Sequence, residues 1–339
     1  MAGGPPRPLR QRIRLLLSRQ TCADLEPVIR AAAGQVELHC VALEDIADDD
    51  AQTVDAAYIS RDITGLSTKH ELKPTFLACC RVLKRSPELA WVHTHSTGSD
   101  RSIYGELHAR GVAVSTSSGA NADSVAQSAL AGLLALSRQF PQLMQAQRER
   151  RWAPLVAGPL PPDLRGQTVV LLGWGPIAQK LQPVLSLLGL RVLVVRRSDV
   201  PVVCGLETLP FTRLHEALPR ADWLLLACPL TTQTRRLIDA EALALLPAGA
   251  HLVNVARGEV VVEAALIDAL SRGHLAGAFL DVFEHEPLSP HSPLWALPGV
   301  IVSPHSAGQA AGNAARTAEI FAGNLRRWLS GEALVNRME

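Results

Sequence analysis

The chain has 339 residues, 47% of them hydrophobic and 19% charged, which is enough for two domains with ordinary buried cores and argues against disorder. Thirty-three Lys and Arg against 32 Asp and Glu leave a net charge of +1, so bulk charge recruits neither nucleic acid nor a membrane surface. No segment approaches the ~20 apolar residues that a membrane-spanning helix needs.

Near the start, Ile13-Arg-Leu-Leu-Leu17 is too short for a signal peptide and is interrupted by Arg14, so it reads as the first buried strand. Strand-like runs follow at Val36–Leu43, Ala57–Ile59, Leu89–Thr94 and Val112–Ser115, with helices at Cys22–Ala33 and Pro74–Lys84. This alternation predicts a parallel sheet with crossover helices. Asn121-Ala-Asp-Ser is a capping sequence that opens a long helix to about Gln139, and Gln145 to Arg165, rich in Arg and Pro, reads as a surface connection. A second alternating unit then has strands at Thr168–Leu172, Arg191–Val195, Trp223–Ala227, Ala250–Asn254, Ala276–Leu280 and Val300–Val302. Its helices fall at Pro176–Leu188 and Val262–Ser271, and a last helix runs from about Gln309 to Ser330. The expected fold class is α/β, with two doubly wound parallel-sheet domains. Residues 1–121 with 309–339 form one, of the flavodoxin-like kind, and 122–308 form a dinucleotide-binding Rossmann domain.

Val169-Val-Leu-Leu-Gly173-Trp-Gly175-Pro-Ile-Ala178 fits the dinucleotide pattern G-x-G-x-x-G/A between a strand and a helix. Gly173 permits the tight turn, Gly175 lets backbone approach a pyrophosphate, and Ala178 is small enough for helix and strand to pack. Trp174, Pro176 and Ile177 complete the turn. At the end of the next strand, where an NAD site carries an acid for the ribose 2′-OH, stand Arg196, Arg197 and Ser198. Two guanidiniums and a hydroxyl suit a 2′-phosphate, so NADP is the expected cofactor, with NAD the alternative.

Three segments in the last third each bring one reactive residue just beyond an apolar run: Arg257 after Asn254-Val-Ala, Glu286 in Asp281-Val-Phe-Glu-His-Glu286-Pro287, and His305 in Ser303-Pro-His305. A cation for a carboxylate and a histidine with an acid partner are what hydride transfer to or from a 2-hydroxy acid requires. The six cysteines form no Cys-x-x-Cys pair and read as buried reduced thiols of a cytoplasmic protein. Glu284, His285, Glu286 and His291 match no zinc spacing, and no metal is expected. His93 and His95 share one face of their strand and read as hydrogen-bonded core histidines, with contact of one of them to substrate as the alternative. Arg61, just past a strand end, is placed either at a substrate's far end or in a surface ion pair.

With these residues in hand, the chain resembles the D-isomer-specific 2-hydroxyacid dehydrogenase family. The resemblance covers about Leu89 to Gly308 and rests on Ser96-Thr97-Gly98-Ser99-Asp100, the Asn121–Ala126 helix start, Gly173–Ala178, Pro229-Leu-Thr-Thr-Gln-Thr234, Asn254-Val-Ala-Arg257-Gly258, Gly277-Ala-Phe-Leu-Asp281, Glu286-Pro287 and Ser303-Pro-His305. It implies a homodimer with the active site between two domains. Arg257 would bind the substrate carboxylate, His305 would be the acid/base and Glu286 its partner. Thr97 and Gly98 would offer backbone N–H groups, and Asp281 would face the nicotinamide. Cys228, Pro229, Thr234, Val255, Ala256 and Ala307 would line the cofactor. Gln127 and Cys228 depart from the family's usual Glu and His. The expected activity is reduction of a small 2-oxo acid such as glyoxylate or hydroxypyruvate. The alternatives are a same-fold dehydrogenase of formate or phosphite, and a cofactor-sensing protein of corepressor type.

Overall fold

The computed structural model describes residues 12–46, 54–202 and 205–338. In chain order the elements are β1 (Arg12–Leu17), α1 (Arg19–Ala33), β2 (Glu37–Ala42), β3 (Ala56–Ile59), α2 (Arg61–Thr64), α3 (Pro74–Arg85), β4 (Trp91–Thr94), α4 (Ser102–Ala109), β5 (Ala113–Thr116), α5 (Ala122–Ser137), α6 (Phe140–Arg148), β6 (Thr168–Leu172), α7 (Pro176–Leu187), β7 (Arg191–Arg196) and β8 (Glu207–Pro210). There follow α8 (Leu214–Ala217), β9 (Trp223–Leu226), α9 (Ala240–Leu245), β10 (Ala250–Asn254), α10 (Glu263–Ser271), β11 (Leu275–Leu280), β12 (Val300–Val302) and α11 (Asn313–Leu329). Cys204 and the arginine-bearing start before Arg12 lie outside the described residues. The chain divides into two compact units, Met1–Asn121 with Ala311–Glu339, and Ala122–Ala310.

The first unit holds a parallel sheet of order β2-β1-β3-β4-β5. Helices cover both faces of its central strands, so 15–17 of β1 and all of β3 and β4 are buried, and the Ser18 hydroxyl starts α1 by accepting from Thr21 N at 3.0 Å. The second unit holds a parallel sheet of order β12-β11-β10-β9-β6-β7-β8, whose strand order reverses between β6 and β9. In such sheets ligands bind beyond the carboxyl ends of the strands at that reversal.

The expected strands and long helices form within a few residues of the boundaries read from the sequence. Six elements had no bounds in that reading: α2, α4, α6, β8, α8 and α9. α4, of eight residues, and the four-residue edge strand β8 are too short for a periodic signal, and α6 covers Phe140–Arg148, of which only 145–148 fall in the segment read as a surface connection. The thiols also differ from expectation: Cys79, Cys80 and Cys228 are buried, whereas Cys22 and Cys40 are half-buried at the edge of the first core.

His93 is fully buried, and its protonation follows from its partners. Ser117 Oγ donates to Thr94 O at 3.1 Å, so it must accept the proton on His93 Nε2 at 3.0 Å. His93 Nδ1 then accepts from the Ser115 hydroxyl at 2.8 Å, and Ser115 accepts from Trp91 Nε1 at 2.8 Å. Burial, with His95 nearby, pushes His93 from 6.5 down to about 3. The neutral ring is therefore favoured in the folded chain, so this contribution to stability is complete above pH 6.5 and is lost as pH falls towards 3. Between pH 7 and 5 the wild type is expected to lose about 2 kcal/mol through this residue. Chemical denaturation of wild type and His93→Gln checks it: the gap between them should narrow by that amount at the lower pH. An equal gap at both values would show that His93 does not resist protonation.

Candidate active site

The glycine turn sits at the reversal of the second sheet. Gly173 has φ of 103°, and its N–H donates to Val195 O at 2.7 Å. A Cβ on Gly173 would stand 2.8 Å from Ala227 O and from backbone atoms of Cys228, so only glycine lets the ends of β6 and β9 come this close. Gly175 caps α7 with ordinary backbone, and a Cβ there would meet nothing within 4 Å. Open space therefore lies beside the N-terminus of a twelve-residue helix that begins with Pro176. Free N–H groups and the helix dipole suit a pyrophosphate at that point. Ala178 is buried against the sheet, and Trp174 and Ile177 are half-buried against the same core.

The remaining residues assigned to a cofactor lie along the same edge. Arg196 ends β7, Arg197 is exposed, and Ser198 Oγ accepts from Val200 N at 3.2 Å. Cys228 is buried, and burial pushes its thiol up to about 12, so it is a neutral wall residue. Thr234 folds the loop it belongs to: its hydroxyl donates to Pro229 O at 2.6 Å and accepts from Thr231 N at 2.8 Å. Val255 and Ala256 are buried just past β10. These features fit a nicotinamide dinucleotide.

The three reactive residues leave neighbouring strands β10, β11 and β12 on that edge. Asn254, buried at the end of β10, holds its turn with both ends of its amide: Oδ1 accepts from Ala256 N at 3.0 Å and Nδ2 donates to Arg257 O at 3.1 Å. Arg257 is half-buried, with Nη1 donating to Ala256 O at 2.7 Å. Gly258 lies against the backbone of Phe283, so the loops bearing Arg257 and Glu286 touch main chain to main chain. Glu263, at the start of α10, holds the second loop by accepting from Glu284 N at 3.1 Å, and burial raises its carboxyl above the usual range.

Glu286 is buried; Oε1 accepts from Phe283 N at 3.1 Å and Oε2 lies 2.8 Å from His305 Nδ1. The carboxylate can only accept there, so Nδ1 carries a proton and Nε2 is the ring nitrogen left for chemistry. His305 is half-exposed and its backbone adopts φ of 51°, a left-handed conformation that a histidine adopts at some cost. Asp281 imposes it. One carboxylate oxygen accepts from Ser303 Oγ at 2.7 Å, Ser306 N at 2.8 Å and Ala307 N at 2.9 Å, while Asp281 O accepts from His305 N at 2.9 Å. Burial raises the Asp281 carboxyl above its ordinary value.

In the first unit, Thr97 and Gly98 lie half-buried just past β4, and their N–H groups meet no acceptor among the described residues. Arg61 is exposed and heads α2. His95, beyond the end of β4, lies 2.8 Å from Thr64 Oγ1 through Nε2. Sequence reasoning did not assign Asn254, Gly258, Glu263 or Ser303. A buried amide closing an apolar strand was a usable signal for Asn254; the others act across chain separations that no local pattern reports.

The reversed sheet, its glycine turn and a carboxylate–imidazole pair beside an arginine define a dehydrogenase of Rossmann type. Residues 130–307 match the family described as D-isomer specific 2-hydroxyacid dehydrogenase, NAD binding domain. The chain belongs to that family, as its motifs led one to expect. A glyoxylate reductase of Thermofilum pendens is 36% identical over 267 residues, 76% of this chain and 77% of the relative. Among solved structures, a D-isomer specific 2-hydroxyacid dehydrogenase from Xanthobacter autotrophicus Py2, in complex with NADPH and MES, is 31% identical with a TM-score of 0.75 and covers 96% of this chain and 98% of its own. An NADPH-dependent glyoxylate/hydroxypyruvate reductase from Sinorhizobium meliloti, in complex with citrate, is 27% identical with a TM-score of 0.72 and covers 97% of this chain and 98% of its own.

Proposed function

We propose that this chain is an NAD(P)-dependent reductase of a small 2-oxo acid, of the glyoxylate or hydroxypyruvate kind, with NADPH as the preferred cofactor. The observation that carries the reading is the 2.8 Å contact of His305 Nδ1 with the buried Glu286 carboxylate, on the sheet edge that also bears Arg257. The nicotinamide, when bound, supplies the hydride. Arg257 holds the substrate carboxylate with a planar pair of N–H groups and so aligns the carbonyl. Thr97 and Gly98 add N–H donors to that carboxylate. His305 Nε2 delivers the proton that the carbonyl oxygen needs as it becomes a hydroxyl, and Glu286 fixes the ring through Nδ1. Asp281 holds the loop of His305 and, with Ala307, borders the nicotinamide. Gly173, Trp174, Gly175, Pro176 and Ile177 hold the pyrophosphate, with Cys228, Pro229, Thr234, Val255 and Ala256 along the rest of the dinucleotide.

The test follows oxidation of NADPH and NADH with glyoxylate, hydroxypyruvate, pyruvate and longer 2-oxo acids. Turnover of at least one is expected, and turnover of none ends the reading. Arg196, Arg197 and Ser198 are assigned to the 2′-phosphate. One charge-assisted contact there gives about tenfold preference for NADPH and two about a hundredfold, at the low end for an exposed site. Arg196→Asp with Arg197→Ala should erode or reverse that ratio of kcat/KM. A wild type that prefers NADH would leave the two arginines as a solvated basic loop.

The chain is further proposed to act as a cytoplasmic homodimer. Its five described cysteines are free thiols, which suits a reducing compartment. Phe140, Met144, Trp152, Val156 and Leu160 expose apolar surface within one stretch of chain, and Trp152 is 94% exposed. Such a concentration of exposed apolar side chains suits a protein partner, here a second copy. Sedimentation equilibrium should give twice the chain mass, falling towards one chain in Trp152→Glu; a wild-type monomer would remove the dimer.

A further inference from the structure

β3 and β4 are neighbours in register, with Ile59 opposite Thr94, so Arg61 and His95 leave the first sheet side by side. Beyond those two strand ends stand Arg61 and Arg101, with Lys69, Asp62 and Asp100 close by. Arg61 is exposed at the head of α2. Arg101 lies over the Phe76 ring at 4.7 Å and donates through Nη2 to Ser67 O at 2.7 Å, while its Nη1 is buried with no acceptor among the described residues. A guanidinium N–H shut away from water without a partner is costly to keep.

The surroundings do not cancel this charge. Lys69 and Asp100 lie 3.5 Å apart and offset each other. Asp62 stands on α2 beside Arg61 and takes a hydrogen bond from the Thr21 hydroxyl at 3.1 Å. Among the described residues, two guanidiniums and the Asp62 carboxylate thus act together on His95. His95 is neutral: burial first, then Arg61 and Arg101, push it down to about 4, with Asp62 opposing. Thr64 gives its hydroxyl proton to Arg61 O at 3.1 Å, so His95 Nε2 is the donor in the 2.8 Å contact between them. The N–H groups of Thr97 and Gly98, with no acceptor among the described residues, follow directly in the chain.

We propose that this end of the first unit is a subsite for a second anionic group on the 2-oxo acid, contacted by Arg61 and favoured by the unneutralised charge of Arg101 beneath it. The proposal rests on the 2-oxo acid reading above and extends its substrate class to acids with an anionic far end, which glyoxylate and hydroxypyruvate lack. Arg101 is a specificity-determining residue that acts through its charge.

The test compares two four-carbon 2-oxo acids that differ at the far end, oxaloacetate with a carboxylate and 2-oxobutyrate with a methyl group. Wild type should favour oxaloacetate in kcat/KM by about tenfold or more, the value of one charge-assisted contact. Arg61→Met and Arg101→Met should each lower that ratio severalfold, and Arg101→Lys, which keeps the charge, should restore most of it. A wild-type ratio near one, or a ratio unchanged in both Met variants, overturns the subsite. Should no 2-oxo acid turn over, the functional reading fails separately, and calorimetry with succinate decides the subsite. Succinate binding weakened by Arg61→Met supports it; no binding, or unchanged binding, overturns it.

Discussion

His305→Asn is expected to fold, to bind NADPH as the wild type does, and to lose about 10²–10⁴-fold in kcat. Asparagine suits the position because, of the larger residues, it adopts the left-handed backbone most readily, and His305 stands at φ of 51°. The loop held by Asp281 should therefore survive, and the asparagine amide can still donate to Glu286. What disappears is a second ring nitrogen able to carry a proton to the substrate while the first remains bonded to a carboxylate. Circular dichroism and cofactor fluorescence establish that the variant is intact, and steady-state kinetics then measure the loss. Near-normal turnover in an intact variant would remove His305 from the chemistry.

Gly258→Ala is expected to be nearly as damaging although it adds one methyl group and no charge. Its Cβ would lie 1.8 Å from the carbonyl carbon of Phe283, 2.0 Å from its oxygen and 2.4 Å from Glu284 N. These are backbone atoms, so no side chain can rotate away and the two loops must part. Arg257 stands next to Gly258 and Glu286 lies three residues beyond Phe283, so parting the loops moves Arg257, proposed to hold the substrate carboxylate, away from the Glu286–His305 pair. A misplacement on the order of 1 Å costs about 10²-fold in rate, and overpacking of this kind costs about 1–3 kcal/mol of stability. Gly175→Ala is the control, because its Cβ meets nothing within 4 Å. It should keep the fold and raise the KM for NADPH. Wild-type kcat/KM in Gly258→Ala would show that the two loops do not depend on their contact.

The contrast between these two glycines shows what sequence can and cannot convey. Gly173 and Gly175 were legible because they occupy fixed places in a short strand–turn–helix pattern, and Arg257, Glu286 and His305 because a parallel sheet delivers successive strand ends to one edge. Gly258 entered only as the last residue of the Asn254-Val-Ala-Arg257-Gly258 motif, with no role of its own. Its constraint comes from Phe283, 25 positions later, and the same holds for Glu263, whose partner is the backbone of Glu284. β8 was invisible for a different reason. An edge strand of four residues, Glu-Thr-Leu-Pro, with only Leu209 buried, has no alternation to detect. Arg101 gave no signal at all, since an orphaned guanidinium is defined by what surrounds it.

One arrangement has a bearing on how such a protein diversifies. Arg257, Glu286 and His305, with Asn254, Gly258, Glu263 and Asp281 that hold them, all fall within a single stretch of the second unit. Arg61, His95 and Arg101 all fall in the first, and the chain passes between the units only near Asn121 and Ala311. Recombination at those two crossings would exchange one set of side chains as a block and leave the other intact. A lineage can in this way acquire a new diet without relearning its chemistry.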